Sequence, residues 1–381
     1  MAHTFDCIVI GLGGFGSSAL YHLARNGLKV IGIDRFPPAH RFGSSHGRTR
    51  MIRKAYFEHP DYVPLLHRAY ALWAELEEDY QEQLYFECGL VLAGDPKGET
   101  ISGARHAAKL HNLTLEEIAR SDAASRFPGF QFRDDHEVVF EPQAGYLRVE
   151  DCVLAHLEAA ERLGAIPVFG EAVQSWSVTE HGVCVETKDE RFEAASLIIA
   201  GGAWSNQLLN DVLPPLQVLR KVQFWCPVQP EWSAASQQNP AFYFDMPEGG
   251  FYGFPSQEGC TLKVAQHSGG EVVDDPLLVD YACKQSDRDP IEQFVKSTLR
   301  GVSPWPVEHA VCMYTMSPDG HFIIDRHPLH SHVVMAAGFS GHGFKFTSVI
   351  GEALTELVMT GRTSLPMDFL KLDRFGHKQG V

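Results

Sequence analysis

No two of the eight cysteines stand in a C-x-x-C pair, so neither a disulfide framework nor a zinc knuckle is expected, and each cysteine starts as a small buried hydrophobe. No apolar run reaches the roughly 18 to 20 residues of a membrane span. No basic n-region, h-region and cleavage site precede the strand-like FDCIVIG, so no secretory signal is read and the default compartment is cytoplasmic. Cations are in deficit: 32 Lys and Arg against 48 Asp and Glu leave a formal charge of −16. That deficit argues against nucleic acid or an anionic membrane as partner, because phosphate affinity needs clustered cations. Repeats, low-complexity tracts and long charge blocks are missing too. What is left, 44% hydrophobic and 21% charged over 381 residues, is a globular balance with two or three domains' worth of core.

The first 35 residues read as strand, tight turn, helix, strand. Gly11, Gly13 and Gly16 supply G-x-G-x-x-G directly after CIVI. Ala19, Leu20, Leu23 and Ala24 give helical spacing, Gly27 ends that helix, and VIGID follows with Asp34 at its end. The first glycine makes the turn, the second admits a pyrophosphate to backbone N–H groups, and the third lets helix and strand pack closely. Asp34 takes ribose hydroxyls. The motif binds a dinucleotide without separating FAD from NAD; Asp34 favours a free 2′-hydroxyl, and the adjacent Arg35 softens that inference.

A third βαβ crossover does not follow. Instead PPAHRFGSSHGRTRMIRKAY places Arg41, His46, Arg48, Arg50, Arg53 and Lys54 within 14 residues of an acidic protein. The bland reading is a solvated basic loop; the functional one is a cationic lining under an electron-rich ring or a substrate carboxylate. TRMIRKAY is expected to be helical, grouping Arg50, Arg53 and Lys54 at i, i+3 and i+4.

Further on, VPLLHRAYALWAELEEDY and VEDCVLAHLEAAERLG are amphipathic helices, and SLIIAGGAWS is a buried strand running into a second glycine turn, with Gly202 and Trp204. VQFWCPV, AFYFDM, GGFYGFP and CTLKVAQHSGG are aromatic strands of a second sheet. Lys263 sits inside CTLKVAQH, and a lysine in an apolar strand is rare unless paired or functional. Near the end, Gly338, Gly341 and Gly343 punctuate GFSGHGFKF, with Lys345 expected in the first turn of the helix that follows. A cation there is disfavoured by about 0.3 to 1 kcal/mol, which calls for a compensating anion.

Taken together, GSSHGRTRMIRKAY, YVPL, FYGFP, GGAW, VCMYT, HFIID and GFSGHGFKF resemble the monomeric sarcosine oxidase and N-methyltryptophan oxidase family over nearly the whole chain. These are FAD-dependent amine oxidases of the glutathione-reductase-like class. The resemblance implies a mixed α/β fold in which a Rossmann-type FAD-binding domain (1–85, 145–219 and 312–381) is interleaved with a substrate domain on a mixed or antiparallel sheet (86–144 and 220–311). It implies oxidation of the C–N bond of a small secondary amino acid, hydride going to FAD, the imine hydrolysing, and O2 becoming hydrogen peroxide. It implies flavin held through its 8α-methyl group by Cys312, Lys263 beside flavin N5 assisting O2, and Arg50 packed on the ring. It matches Arg53 and Lys345 to the substrate carboxylate, and Tyr56, Tyr252, Tyr314 and His267 to the pocket. Ser44, His46, Val173 and the glycine turns fall on the cofactor, no metal is called for, and the chain is expected to be a monomer.

Ser45 and Arg48 stand where relatives commonly carry a histidine and an aspartate, which is expected to alter charge near the flavin. Tyr243 replaces a flexible aliphatic residue at the pocket, and Met316 is also atypical. A flavin dehydrogenase using an acceptor other than O2, and a nicotinamide enzyme or non-catalytic nucleotide module, are the alternatives.

Overall fold

In the computed structural model, which describes residues 4–209, 212–232 and 239–376, the chain forms three sheets. The first has a parallel core in the order Ile166–Phe169, Val30–Asp34, Thr4–Ile10, Arg191–Ile199 and Val333–Ala337. Such strands are covered on both faces and so read as continuous apolar runs. Val9 joins the core beneath the helices Gly14–Arg25, Val149–Arg162 and Thr347–Thr360, while Ile8 and Ile10 face a second layer with Val183 and Val185 of the strand Gly182–Glu186.

A nine-stranded sheet carries the aromatic strands. Its register sets the site. Tyr243 lies opposite Tyr252, Tyr252 opposite Ala265, and Ala265 opposite Gln223. Cys312 lies opposite Lys221. Because side chains alternate with period two, Tyr243, Tyr252, Lys263, Cys312 and Tyr314 share one face. Phe224, Phe242, Phe244 and Phe251 fill the core behind the other. Strand Glu308–Met316 pairs along its length with Gln217–Pro227, so the boundary expected at 311/312 cuts through a strand of this sheet and the change of layer falls after Met316.

The basic segment departs from expectation. Thr49–Ile52 is not helical but a strand, paired antiparallel with Gly145–Arg148 in a small third sheet with Tyr85–Glu87. Local propensity for a helix yields to this pairing, which Thr49 and Ile52 suit as β-branched residues. After the strand, the amides of Lys54 and Ala55 donate to the Glu141 carboxylate at 2.6 and 3.1 Å. Lys54 Nζ therefore reaches the exposed Gln143 (3.2 Å) and does not join Arg50 and Arg53.

Candidate active site

A long cleft runs between the parallel sheet and the face of the nine-stranded sheet that carries Tyr243, Tyr252 and Tyr314. At one end is the glycine turn. Gly11 has φ +86°, and a Cβ there would meet Ala200 O at 2.5 Å; a Cβ on Gly16 would lie 1.7 Å from Gly11 O. Only glycine permits this closeness. Gly16 thus shapes the turn without lining the cleft, whereas Gly11, Gly13, Asp34, Arg35, Val173, Gly202 and Trp204 line it. Asp34 also braces the turn: Leu12 N donates to its Oδ2 at 2.6 Å and Phe36 N to its Oδ1 at 2.9 Å. Trp204 Nε1 and Arg35 Nη1 are buried without a protein partner, and the guanidinium carbon sits 5.4 Å over the indole.

The basic loop passes along the middle. Ser45 Oγ accepts from Gly14 N at 3.0 Å, tying the loop to the first helix. Ser44 O accepts from Arg50 Nη2 at 2.8 Å, and that same nitrogen lies 3.4 Å from Cys312 Sγ. Ser44 and Arg50 line the cleft; Cys312 stands behind Arg50, buried. His46 is also behind the wall, its Nε2 unpartnered, and burial with Arg50 and Lys263 nearby pushes it down to about 3. Arg48 is turned away: its guanidinium donates to both oxygens of Glu308 at 2.8 Å on the half-open outer side. The Arg48 charge expected beside the cofactor is answered outside the cleft by Glu308.

Lys263 is fully enclosed, Nζ donating to Gly47 O and Thr49 O, both at 2.7 Å. It lines a separate small pocket with Arg48, Trp225 and Phe254 rather than the main cleft. Burial, and then Arg50, hold its pKa well below the ordinary lysine range.

At the far end the structure brings together Arg53, Glu58, His342 and Lys345, all lining the cleft. Arg53 Nη2 bonds Glu58 Oε2 at 2.5 Å and Nη1 donates to Ala55 O at 2.9 Å. Burial would raise the Glu58 carboxyl, but Arg53, His342 and Lys345 outweigh it and hold it at about 2. Lys345 does not sit in the first α-helical turn: it belongs to the 3-10 turn Phe344–Phe346 before the helix Thr347–Thr360. Its Nζ donates to His342 O at 2.7 Å, and burial and Arg53 bring its pKa down to about 7 against the pull of Glu58. Tyr56 stands behind these cations, 4.4 Å from the Arg53 guanidinium carbon and 5.0 Å from Lys345 Nζ, measured to its ring centre.

Between the ends, Tyr243, Tyr252, His267 and Tyr314 form the wall contributed by the nine-stranded sheet. His267 Nδ1 and Tyr314 OH are 3.3 Å apart, and burial takes His267 down to about 3, so it is neutral at pH 7. Gly341, φ +79°, lets the backbone pass where a Cβ would lie 2.4 Å from the Tyr314 ring. Gly338, φ +62°, sets the start of this turn, and Gly343 lines the cleft. Among the described residues no group of three or more His, Cys, Asp and Glu could hold a metal ion, and no helix is long and apolar enough to cross a membrane.

Two residues escape the sequence reading. Glu58 carried a signal, being the first acidic residue after Asp34 and five positions beyond Arg53. His342 lay inside GFSGHGFKF, where the lysine drew attention instead.

The family model described as FAD dependent oxidoreductase (DAO) matches residues 6–357. A monomeric sarcosine oxidase of Bacillus sp. (strain NS-129) is 38% identical over 98% of this chain and 98% of its own. An N-methyl-L-tryptophan oxidase of Citrobacter koseri is 34% identical over 97% and 99%. The solved structure of NikD, an unusual amino acid oxidase essential for nikkomycin biosynthesis, superposes with a TM-score of 0.86 at 22% identity over 97% of both chains, a likeness of fold. The glycine turn, the aromatic wall and these similarities agree: the chain belongs to the DAO family of FAD-dependent oxidoreductases, in the group of the monomeric sarcosine and N-methyl-L-tryptophan oxidases.

Proposed function

We propose that the chain is an oxidase of N-alkyl amino acids, acting on the C–N bond of a secondary amine that bears a carboxylate, with O2 as terminal oxidant. One observation carries this reading: two buried cations, Arg53 and Lys345, close one end of the cleft whose opposite end is a dinucleotide turn. An arginine fork and an ammonium suit a carboxylate. The faces of Tyr243, Tyr252 and Tyr314 suit an N-alkyl ammonium. The names of the relatives above support the same substrate class.

The residues fit FAD. The turn at Gly11–Gly16 admits no side chain at Gly11 or Gly16, and Trp204 Nε1, Arg35 Nη1 and Thr315 Oγ1 are unpartnered polar atoms of residues lining the cleft. When bound, FAD supplies the two-electron acceptor and the route to O2, with hydrogen peroxide as product. The chain's own residues do the rest. Arg53 exchanges Glu58 for the substrate carboxylate, and Lys345 shares it. His267 and Tyr314 present a neutral polar pair in the aromatic wall, which orients the substrate nitrogen without repelling it. The amino end of the helix Thr347–Thr360 favours negative charge ahead of it. Cys312, with its Sγ 3.4 Å from Arg50 Nη2, is the side chain through which the cofactor would be covalently attached. Lys263 keeps a fixed amine donor behind Arg50, held on Gly47 O and Thr49 O, for the oxidative half of the cycle. The protein works as a monomer in the cytoplasm.

The test is turnover of N-methyl amino acids, read as hydrogen peroxide, beside the same compounds as carboxamides. Acids are expected to turn over and amides to be poor substrates; indifference to the carboxylate would overturn the reading. A dehydrogenase passing electrons elsewhere is the second reading, favoured by the engagement of Lys263 with two carbonyls away from the main cleft. Faster turnover with an artificial dye than with O2 would select it.

A further inference from the structure

His342 has no part in the chemistry so far, yet three contacts converge on it. Its Nε2 lies 2.9 Å from Gly320 O and its Nδ1 lies 2.5 Å from Tyr56 OH. A carbonyl can only accept, so Nε2 carries the hydrogen; Nδ1 then holds a lone pair and accepts from the Tyr56 hydroxyl. The one hydroxyl hydrogen of Tyr56 is spent on this bond. Meanwhile the main-chain carbonyl of His342 accepts from Lys345 Nζ at 2.7 Å. Tyr56, so oriented, packs its ring behind both cations, 4.4 Å from the Arg53 guanidinium carbon and 5.0 Å from Lys345 Nζ. The glycines on either side let the His342 backbone pass between aromatic rings. A Cβ on Gly341 would strike Tyr314 at 2.4 Å, and one on Gly343 would come within 2.8 Å of Phe339.

We propose that His342 is the positioning residue of the carboxylate site: its ring fixes Tyr56, whose own ring packs against Arg53 and Lys345, and its carbonyl fixes Lys345. This rests on the carboxylate-site reading above and deepens it. His342 acts through Tyr56 and Lys345, so its effect should follow the carboxylate and not the rate of C–N oxidation.

The experiment uses the flavin-loaded enzyme and three variants, His342→Leu, His342→Asn and Tyr56→Phe. Acetate binding is read from the visible spectrum of the bound flavin, and kcat and KM are measured for an N-methyl amino acid and its amide. His342→Leu is expected to weaken acetate about tenfold, the scale of one well-made hydrogen bond. KM for the acid should rise alike while kcat moves less than about threefold and the amide is unaffected. Asn, which keeps an acceptor for Tyr56, should recover most of the affinity, and Tyr56→Phe should reproduce the Leu defect. Wild-type affinity in His342→Leu, or equal losses for acid and amide with no recovery by Asn, would overturn the assignment. If Leu does not fold, Asn and Tyr56→Phe still decide: Tyr56→Phe with wild-type acetate affinity overturns it. A wild-type enzyme blind to acetate would be a different failure, removing the carboxylate site itself and this inference with it.

Discussion

Arg53 Nη2 meets Glu58 Oε2 at 2.5 Å with the two side chains only 4% and 16% exposed. The guanidinium that the substrate carboxylate needs is already answered by a carboxylate of the protein. Binding is therefore an exchange of one anion for another, and Glu58 is a built-in competitor. Glu58→Gln should tighten acetate several-fold, about 1 kcal/mol, by removing that competitor. It should also lower Tm, because breaking a buried pair leaves an uncompensated charge, a cost of about 3–5 kcal/mol. Acetate titration and thermal melts check both; weaker acetate binding would mean that Glu58 orients Arg53 rather than competing for it.

Lys345 sets a pH dependence. Its pKa of about 7 leaves it charged at pH 6 and neutral at pH 9. Carboxylate affinity should fall as pH rises through 7, by up to about tenfold per unit. Lys345→Met should bind weakly with a flat profile, and Lys345→Arg should flatten the profile at the tight end. For stability the sign is opposite: the folded state gives up a proton that the unfolded chain keeps to about 10.5, so this group makes stability rise between pH 7 and 10.5. A wild-type acetate profile flat from pH 6 to 9 would refute the assignment.

Lys263→Met separates the half-reactions. Reaction of the reduced enzyme with O2 should slow by more than about tenfold, since a preorganised amine donor is lost, while reduction by substrate should change by less than about threefold. Stopped-flow traces of each half measure this directly. Equal slowing would confine Lys263 to holding Gly47 O and Thr49 O.

Cys312 is tested by acid precipitation. The wild-type pellet should stay yellow and the Cys312→Ser supernatant should turn yellow instead. Yellow supernatant from wild type would return Cys312 to the sheet as a buried thiol.

The dinucleotide turn was legible because its logic is local: three glycines, an apolar strand before them and an acid after the next strand specify a backbone shape within 34 residues. The aromatic strands were legible as well, but the residues of the wall were named only through the family resemblance. By residue type alone most of those tyrosines read as core, and it is the sheet register that puts Tyr243 and Tyr252 on the face opposite Phe242 and Phe251. Distant partners were not legible. Whether Thr49–Ile52 is helix or strand depends on Gly145–Arg148, almost a hundred residues away. That Arg48 turns outward depends on Glu308 and Glu150, and that Lys263 looks onto a pocket of its own depends on two carbonyls over two hundred residues earlier in the chain. Sequence by itself determined which chemical groups are present and which face of each strand they share. Only the tertiary structure decided their partners, because hydrogen bonds and ion pairs act over a few ångströms, and chain order says nothing of which remote segments come that close.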